Sequence, residues 1–297
     1  TGKKITAENV IVTSGTMESL LISMQTLLNP GDELLVPTPH FAAYDGHFQI
    51  AGIKPVFVTT YEEDEYQLSL EDMEAAITPK TRAILSNTPR NPTGSVFSRK
   101  TLEGIIRIAK KHKLAIISDE VYSGIVYDGP HNCILNLMDL DESVILCNSF
   151  SKSYAMTGWR IGFTISTPEV AVSLRRIHEY GSSSSNVALQ YGATEAIEKG
   201  DDDIEAMRVE YQARRDLVCK RINSIDGLSC ITPKGAFYIF MNIKGTGLSS
   251  REFADRLLDE NRVVVVPGTA FGAAGEGYVR LSYATSIGNL IKGMDRM

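Results

Sequence analysis

Short apolar runs alternate with helical patterns through the first 165 residues, and this alternation most strongly constrains the fold. The predicted strands are Val10–Thr13, Glu33–Val36, Pro55–Val58, Arg82–Leu85, Leu114–Ser118, Val144–Cys147 and Arg160–Ile165. The apolar spacing between them predicts helices, with Ser98 as the cap of the last, over Met17–Leu28, Phe41–Ala51, Leu70–Ile77 and Lys100–His112. This order predicts an α/β fold, in which a mostly parallel sheet carries helices on both faces.

The pattern changes beyond Pro168. Helical segments are predicted over residues 168–180, 186–199 and 203–223. Three strands and one helix follow, at Phe237–Asn242, Val263–Val266, Tyr278–Ser282 and Arg251–Glu260 respectively. We therefore expect a large domain over residues 1–200 and a smaller C-terminal α+β domain over residues 201–297.

Composition excludes several classes of function. Hydrophobic residues make up 43% of the 297 residues and charged residues 22%, as in ordinary globular proteins. The formal net charge of −6 argues against nucleic acid as the main partner. No apolar run approaches the ~20 residues of a membrane span, and no signal peptide is visible. The four cysteines lack metal-binding spacing, so we expect no metal and a reducing, cytoplasmic setting.

Lys152 is the most informative single position. It follows the predicted strand Val144–Cys147, and no other charged residue lies between Glu142 and Lys152. A lysine amine among small, uncharged neighbours suits covalent work on a carbonyl, because desolvation lowers its pKa and the neutral amine is nucleophilic. The alternative interpretation is a solvated lysine in a serine-rich loop.

Other polar residues fall at the predicted strand ends, where ligands of open α/β sheets gather. Asp119 follows one strand and is suited to binding a metal, capping a helix or holding a protonated ring nitrogen. The segment Ser14-Gly15-Thr16 opens a helix, where free N–H groups favour an anion such as phosphate or simply receive a cap. Two hydroxyls and a fixed positive charge near Lys152 extend the predicted phosphate site, namely Ser149, Ser151 and Arg160.

Tyr122 follows three residues after Asp119 and adds a phenol. An amine, a carboxylate, a phenol and a phosphate site together are typical of pyridoxal phosphate enzymes. The chain resembles the fold-type-I pyridoxal-phosphate enzymes, specifically the class I/II aminotransferases of the aspartate aminotransferase superfamily. The resemblance covers nearly the whole chain. It depends on the motifs Asn91-Pro92-Thr93-Gly94, Ser118-Asp119-Glu120-Val121-Tyr122, Ser149-Phe150-Ser151-Lys152, Gly158-Trp159-Arg160-Ile161-Gly162, Pro267-Gly268-Thr269-Ala270-Phe271-Gly272 and Arg280-Leu281-Ser282-Tyr283.

The resemblance implies a role for each matching residue. Lys152 would form a Schiff base with pyridoxal 5'-phosphate and then carry the proton from the substrate Cα. Asp119 would keep the pyridine nitrogen protonated. Tyr122 and Asn91 would bind the phenolic oxygen of the cofactor, with Asn91 also near the substrate.

The resemblance also implies a stacking aromatic, a phosphate site and a carboxylate site. Phe41 would stack on the pyridine ring, although core packing is the simpler interpretation of that residue alone. Arg280 would bind the substrate α-carboxylate, although without the Leu-Ser-Tyr-Ala that follows it the simpler interpretation is a surface arginine at a strand edge. The residues that would bind phosphate are Gly15, Thr16, Ser149, Ser151 and Arg160.

We therefore predict a homodimeric aminotransferase that moves an amino group from an L-amino acid to a 2-oxo acid. The alternatives are a carbon–sulfur β-lyase on the same scaffold and the cofactor-binding domain of a transcription regulator. Family members usually carry a further N-terminal segment, so we expect that the small domain is incomplete without it and that activity is low. Arg90 departs from the family pattern, and we expect it to be solvated rather than to touch substrate.

Overall fold

The computed structural model describes residues 2–297 and contains a seven-stranded sheet and a separate three-stranded sheet. The large sheet has the order β1-β7-β6-β5-β4-β2-β3. Strands β2 to β6 are mutually parallel, whereas β7 is antiparallel to both β1 and β6. The strands are β1 (Val10–Thr13), β2 (Glu33–Thr38), β3 (Lys54–Thr59), β4 (Thr81–Asn87), β5 (Ala115–Asp119), β6 (Val144–Ser149) and β7 (Gly162–Ile165). The mostly parallel sheet is therefore confirmed.

Ten α-helices accompany these strands within residues 2–297. They are α1 (Thr16–Leu27), α2 (Ala43–Ala51), α3 (Leu70–Ala75), α4 (Arg99–His112), α5 (Phe150–Ser153), α6 (Pro168–Ser182), α7 (Val187–Lys199), α8 (Asp201–Ile222), α9 (Ser250–Asn261) and α10 (Ile287–Arg296). The Ser98 hydroxyl accepts the Thr101 N–H at 3.1 Å, which confirms the predicted cap of α4. The sequence analysis predicted no helix at the position of α10.

The large sheet is buried on both faces, as the continuous apolar runs predict. Leu34 and Val36 of β2 pack with α1, α2 and α6 on one face, whereas Leu35 packs with α4 on the other. Successive side chains of a strand point to opposite faces, so each central strand contributes to both layers. The carboxyl ends of β4, β5 and β6 are therefore held rigidly side by side.

The small sheet is antiparallel, with strands β8 (Tyr238–Asn242), β9 (Val266–Pro267) and β10 (Tyr278–Ser282) in the order β8-β10-β9. The predicted strand Val263–Val266 is wrong in extent, because only Val266 and Pro267 pair with β10. The Val263 N–H instead donates to the Leu257 carbonyl at 3.2 Å and closes the end of α9. The domain boundary near residue 200 stays a prediction.

Among the helices of residues 2–297, none is long and apolar enough to cross a membrane. In the same part of the chain, no group of three or more His, Cys, Asp or Glu side chains is arranged to hold a metal ion. The four cysteines are free thiols.

Candidate active site

A cavity of about 290 Å³ opens where strands of the large sheet end. Asn87, Asp119 and Ser149, the last residues of β4, β5 and β6, all line it. This is the edge at which open α/β sheets bind ligands. The remaining lining residues come from α1, α5, the loops and the small sheet: Thr16, Met17, Leu20, Phe41, Asn91, Val121, Tyr122, Ser151, Lys152, Thr157, Arg160, Tyr238 and Arg280.

Lys152 reaches the cavity from the short helix α5. The Ser149 side chain caps this helix by accepting the Ser151 N–H at 3.3 Å. Within residues 2–297 the Lys152 amine makes no ion pair, and it lies 5.6 Å from the centre of the Phe237 ring. Burial lowers the pKa of Lys152, and the positive charges of Arg160 and Arg280 lower it further. The neutral, nucleophilic amine is therefore favoured here relative to a solvated lysine.

Asp119 is fully enclosed at the end of β5. Its Oδ2 accepts a hydrogen bond from the Tyr44 hydroxyl at 2.5 Å, and its Oδ1 accepts the Val121 N–H at 3.3 Å. Burial raises the pKa of Asp119 to about 6, against the opposing effect of the hydrogen bond from Tyr44. The carboxylate is thus suited to facing a cationic partner, which would recover the free energy lost by desolvation.

The segment before α1 meets Arg160 at one end of the cavity. Gly15 has a φ of 84°, and a Cβ at this position would lie 2.6 Å from the Arg160 guanidinium. The Arg160 Nη2 donates to the Ser14 carbonyl at 3.0 Å. The Thr16 hydroxyl is buried and has no partner within residues 2–297. A helix N-terminus, a cation and an unpaired hydroxyl therefore converge on one point, as an anion requires.

Arg280 of β10 lies at another part of the cavity wall. Its guanidinium lies 4.5 Å from the centre of the Tyr238 ring and 4.8 Å from that of Phe271. Its Nη1 donates to Asn91 Oδ1 at 2.9 Å, whereas its buried Nε has no partner within the described chain. No acidic residue of the described chain is paired with Arg280, so its remaining donors are available to a carboxylate.

Two aromatic residues complete the lining. The Tyr122 hydroxyl lies 3.0 Å from that of Tyr238, and burial raises the pKa of Tyr122 well above its usual range. Phe41 is half-buried and packs edge-on against Tyr44, with ring centres 5.4 Å apart. Phe41 therefore presents a ring to the cavity while Tyr44 lies behind it, against Asp119.

The structure brings together all the residues that the sequence analysis assigned to this site. Ten of them line the cavity directly, and Gly15 reaches it through its contact with Arg160. Sequence reasoning missed Tyr44 and Tyr238. The helix predicted over Phe41–Ala51 would place Tyr44, three residues after Phe41, on the same face, and this spacing was the available signal.

The expectation that Arg90 is solvated is wrong. Its side chain is buried, and its Nη1 donates to the Thr60 hydroxyl at 2.9 Å and to the Tyr66 carbonyl at 3.0 Å. Its Nη2 donates to the Pro39 carbonyl at 2.8 Å. Burial lowers the pKa of Arg90 to about 10. Arg90 can be buried because neutral acceptors from three segments of the chain accept hydrogen bonds from its guanidinium.

These residues fit pyridoxal phosphate. Two of the eight buried side-chain polar atoms without partners within residues 2–297, Thr16 Oγ1 and Arg280 Nε, lie on residues that line the cavity. The phosphate group would meet Thr16, Arg160 and the N-terminus of α1. The Asp119 carboxylate suits the pyridine nitrogen, and the Lys152 amine suits the aldehyde carbon.

Comparisons with known proteins agree with this chemistry. The model of the family "Aminotransferase class I and II" matches residues 1–296. The chain is 48% identical to aromatic-amino-acid aminotransferase 2 of Thermococcus litoralis, over 97% of this chain and 75% of that protein. It is 44% identical to an aspartate aminotransferase of Pyrococcus abyssi, over 98% of this chain and 75% of that protein.

Solved structures give the same result. The crystal structure of the aromatic aminotransferase from Pyrococcus horikoshii is similar with a TM-score of 0.94 and 43% identity, covering 97% of this chain and 78% of that one. Thermus thermophilus aspartate aminotransferase with maleate has a TM-score of 0.94 at 36% identity, over 99% and 76% of the two chains. The chain therefore belongs to the class I and II aminotransferases, and it is a pyridoxal phosphate-dependent transaminase.

Proposed function

We propose that the cavity at the ends of β4, β5 and β6 transfers an amino group from an L-amino acid to a 2-oxo acid. The observation that carries this proposal is the meeting of an amine without an ion pair, Lys152, and a buried carboxylate, Asp119, in one cavity. When bound, pyridoxal phosphate supplies a carbon that accepts the amino group and a ring that withdraws electrons from the substrate Cα.

Lys152 is proposed as the group that takes and returns the proton of the substrate Cα. A general base works best when its pKa is near the pH of operation. The displacement of the Lys152 pKa below its usual range, by burial and by two arginines, moves it in that direction. Asp119 is proposed to hold the proton of the pyridine nitrogen, with Tyr44 fixing its Oδ2.

Arg280 is proposed to bind the substrate α-carboxylate. Its ring contacts with Tyr238 and Phe271 and its hydrogen bond to Asn91 fix the guanidinium plane before the substrate arrives. A fixed guanidinium holds a carboxylate in a bidentate pair and so restricts the direction of the Cα–H bond. The proposed phosphate end of the site comprises Gly15, Thr16, Ser149, Ser151 and Arg160.

A homodimer in the cytoplasm is the proposed state of the enzyme. Tyr180 of α6 is 91% exposed, and Tyr191 of α7 is 75% exposed. A Cβ on Gly192 would lie 2.5 Å from the ring of Trp159, so α7 lies against the residue that precedes Arg160. Exposed aromatic side chains on α6 and α7 favour coverage by a second copy of the chain. Sedimentation at increasing protein concentration tests this, and a concentration-independent monomer would contradict it.

The function is tested by mixing the purified protein with pyridoxal phosphate, a panel of L-amino acids and 2-oxoglutarate. The expected result is a 2-oxo acid formed in equal amount to glutamate, for the amino acids that the enzyme accepts. Pyruvate and ammonia are measured alongside with cysteine conjugates as substrates. Ammonia release without glutamate formation would indicate a β-lyase, and the absence of any product would contradict an enzyme.

A further inference from the structure

A carboxylate from the first turn of α1 holds the segment that precedes this helix. Glu18 Oε2 accepts the Ser14 N–H at 2.5 Å. The Ser14 carbonyl accepts from Arg160 Nη2 at 3.0 Å. Both polar groups of the Ser14 backbone are therefore held by charged side chains, which fixes the direction in which the chain enters Gly15.

The same carboxylate is itself held from α6. Glu18 Oε1 accepts from His178 Nδ1 at 2.9 Å and from the Ser182 hydroxyl at 2.8 Å. The side chain of His178 is 8% exposed and that of Glu18 is 17% exposed. One carboxylate oxygen thus faces α6 and the other faces Ser14, so Glu18 connects the two segments.

Electrostatics alone does not explain an acidic residue in this place. Burial raises the pKa of Glu18, but the hydrogen bonds that it accepts outweigh this effect and leave its pKa below the usual value. Glu18 is consequently ionised near neutral pH. A negative charge close to a phosphate site opposes the binding of phosphate, so a benefit to binding must come from the geometry that the carboxylate imposes.

We propose that Glu18 is a positioning residue for phosphate binding, which holds Ser14 so that the N-terminus of α1 and the Thr16 hydroxyl face the cavity. The inference rests on the proposed phosphate end of the site. Two observations support it independently of Glu18. The Thr16 hydroxyl is buried without a partner within residues 2–297, and Gly15 adopts a positive φ of 84° against Arg160.

The competing explanation is that Glu18 only stabilises α1. A residue three positions into a helix often accepts a backbone N–H that precedes it, and this contributes to helix stability whatever ligand is bound. The two explanations differ in what they predict for ligands. If Glu18 only stabilises α1, its loss should affect the binding of ligands with and without a phosphate equally. If Glu18 positions the phosphate site, its loss should weaken only the binding of ligands that carry a phosphate.

The experiment compares Glu18→Ala and Glu18→Gln with wild type by the affinity of the cofactor-free protein for three probes. These are pyridoxal phosphate, pyridoxal and inorganic phosphate. Glu18→Ala is expected to lower the affinity for pyridoxal phosphate and for inorganic phosphate about 10- to 100-fold, because one charge-assisted hydrogen bond is lost. Its affinity for pyridoxal should change less than about threefold. Glu18→Gln keeps an oxygen acceptor for Ser14, and its NH2 group can donate to the Ser182 hydroxyl, which is able to accept as well as donate. Its affinities are therefore expected within about threefold of wild type.

The sign of the effect separates the explanations. Removal of a negative charge alone would strengthen phosphate binding, so equal or tighter binding of pyridoxal phosphate by Glu18→Ala overturns the inference. Equal weakening of pyridoxal and pyridoxal phosphate also overturns it. Glu195→Ala, at an exposed acidic residue paired with Lys199, is the matched control and should change none of the affinities.

Two further measurements keep the test decisive. Ser182→Ala removes one of the contacts that hold Glu18 Oε1 and should produce the same phosphate-specific loss at a smaller size, even if Glu18→Ala fails to fold. Wild-type protein that binds pyridoxal as tightly as pyridoxal phosphate would overturn the phosphate end itself. If Glu18→Ala and Ser182→Ala keep the wild-type preference for pyridoxal phosphate over pyridoxal, only the role of Glu18 is overturned.

Discussion

The hydrogen bond between Tyr44 and Asp119 makes a quantitative prediction for Tyr44→Phe. Both residues are buried, and the hydroxyl donates to Oδ2 at 2.5 Å. A hydrogen bond to a charged group stabilises it by about 1.5–3 kcal/mol, and about 1.4 kcal/mol corresponds to one pKa unit. Loss of the hydroxyl should therefore raise the pKa of Asp119, which is about 6 in the wild type, by about 1–2 units.

The direction of the stability change follows from linkage. The pKa of Asp119 is higher in the folded protein than the usual 3.8, so its contribution to stability is full at low pH and is lost as pH rises through the folded pKa. A further rise in the variant enlarges this loss. Tyr44→Phe should therefore cost about 1.5–3 kcal/mol more at about pH 9 than at about pH 5.

Urea unfolding of the cofactor-free protein across this pH range measures the effect. Tyr283→Phe is the matched control, because the hydroxyl of this buried tyrosine donates to the neutral Ala236 carbonyl at 3.1 Å. The control should lose a constant amount of stability at every pH. A loss in Tyr44→Phe that is equally independent of pH would refute the reasoning, because it would show that Tyr44 does not govern the protonation of Asp119.

Three further predictions concern the proposed roles. Lys152→Ala should bind pyridoxal phosphate reversibly but lose transamination by at least about 1000-fold, as followed by glutamate formation, because the proton carrier is gone. Asp119→Ala should lower kcat at least about 100-fold while weakening cofactor binding much less, as titration of the cofactor-free protein would show. Arg280→Lys should raise the KM for the amino acid about 10- to 100-fold, because a lysine cannot form the bidentate pair, with cofactor affinity unchanged.

The sequence predicted the parts of the site that lie next to each other along the chain. Ser149, Ser151 and Lys152 share one short helix and its cap, so a single motif places all three. Asp119 ends an apolar strand, and a parallel sheet brings such ends to one edge. Local patterns therefore account for the fold of the large sheet and for most of the cavity lining.

The sequence did not predict contacts between segments that are far apart along the chain. Tyr44 meets Asp119 across 75 residues, and Glu18 meets His178 across 160 residues. No local pattern specifies which buried donor will reach which acceptor, because that depends on how α2 and α6 pack on the sheet. Arg90 was misjudged for the same reason, since its acceptors come from separate segments of the chain.

Two errors in secondary structure have local causes. Helix α10 contains Gly288 and Gly293, which have low helix propensity, although Leu290 and Met294 carry the apolar spacing that buries one face. The strand expected at Val263–Val266 is shortened because its first residue closes α9. In α10, burial of the apolar face outweighs the low helix propensity of the two glycines.

Borohydride reduction followed by peptide mapping tests the central claim most directly. The protein is loaded with pyridoxal phosphate, reduced and digested, and the modified peptide is identified by mass spectrometry. The site geometry predicts a single stoichiometric label on Lys152, which is absent from Lys152→Ala. A label carried instead by another lysine, such as Lys234 or Lys244, would contradict the assignment of this cavity as the catalytic site.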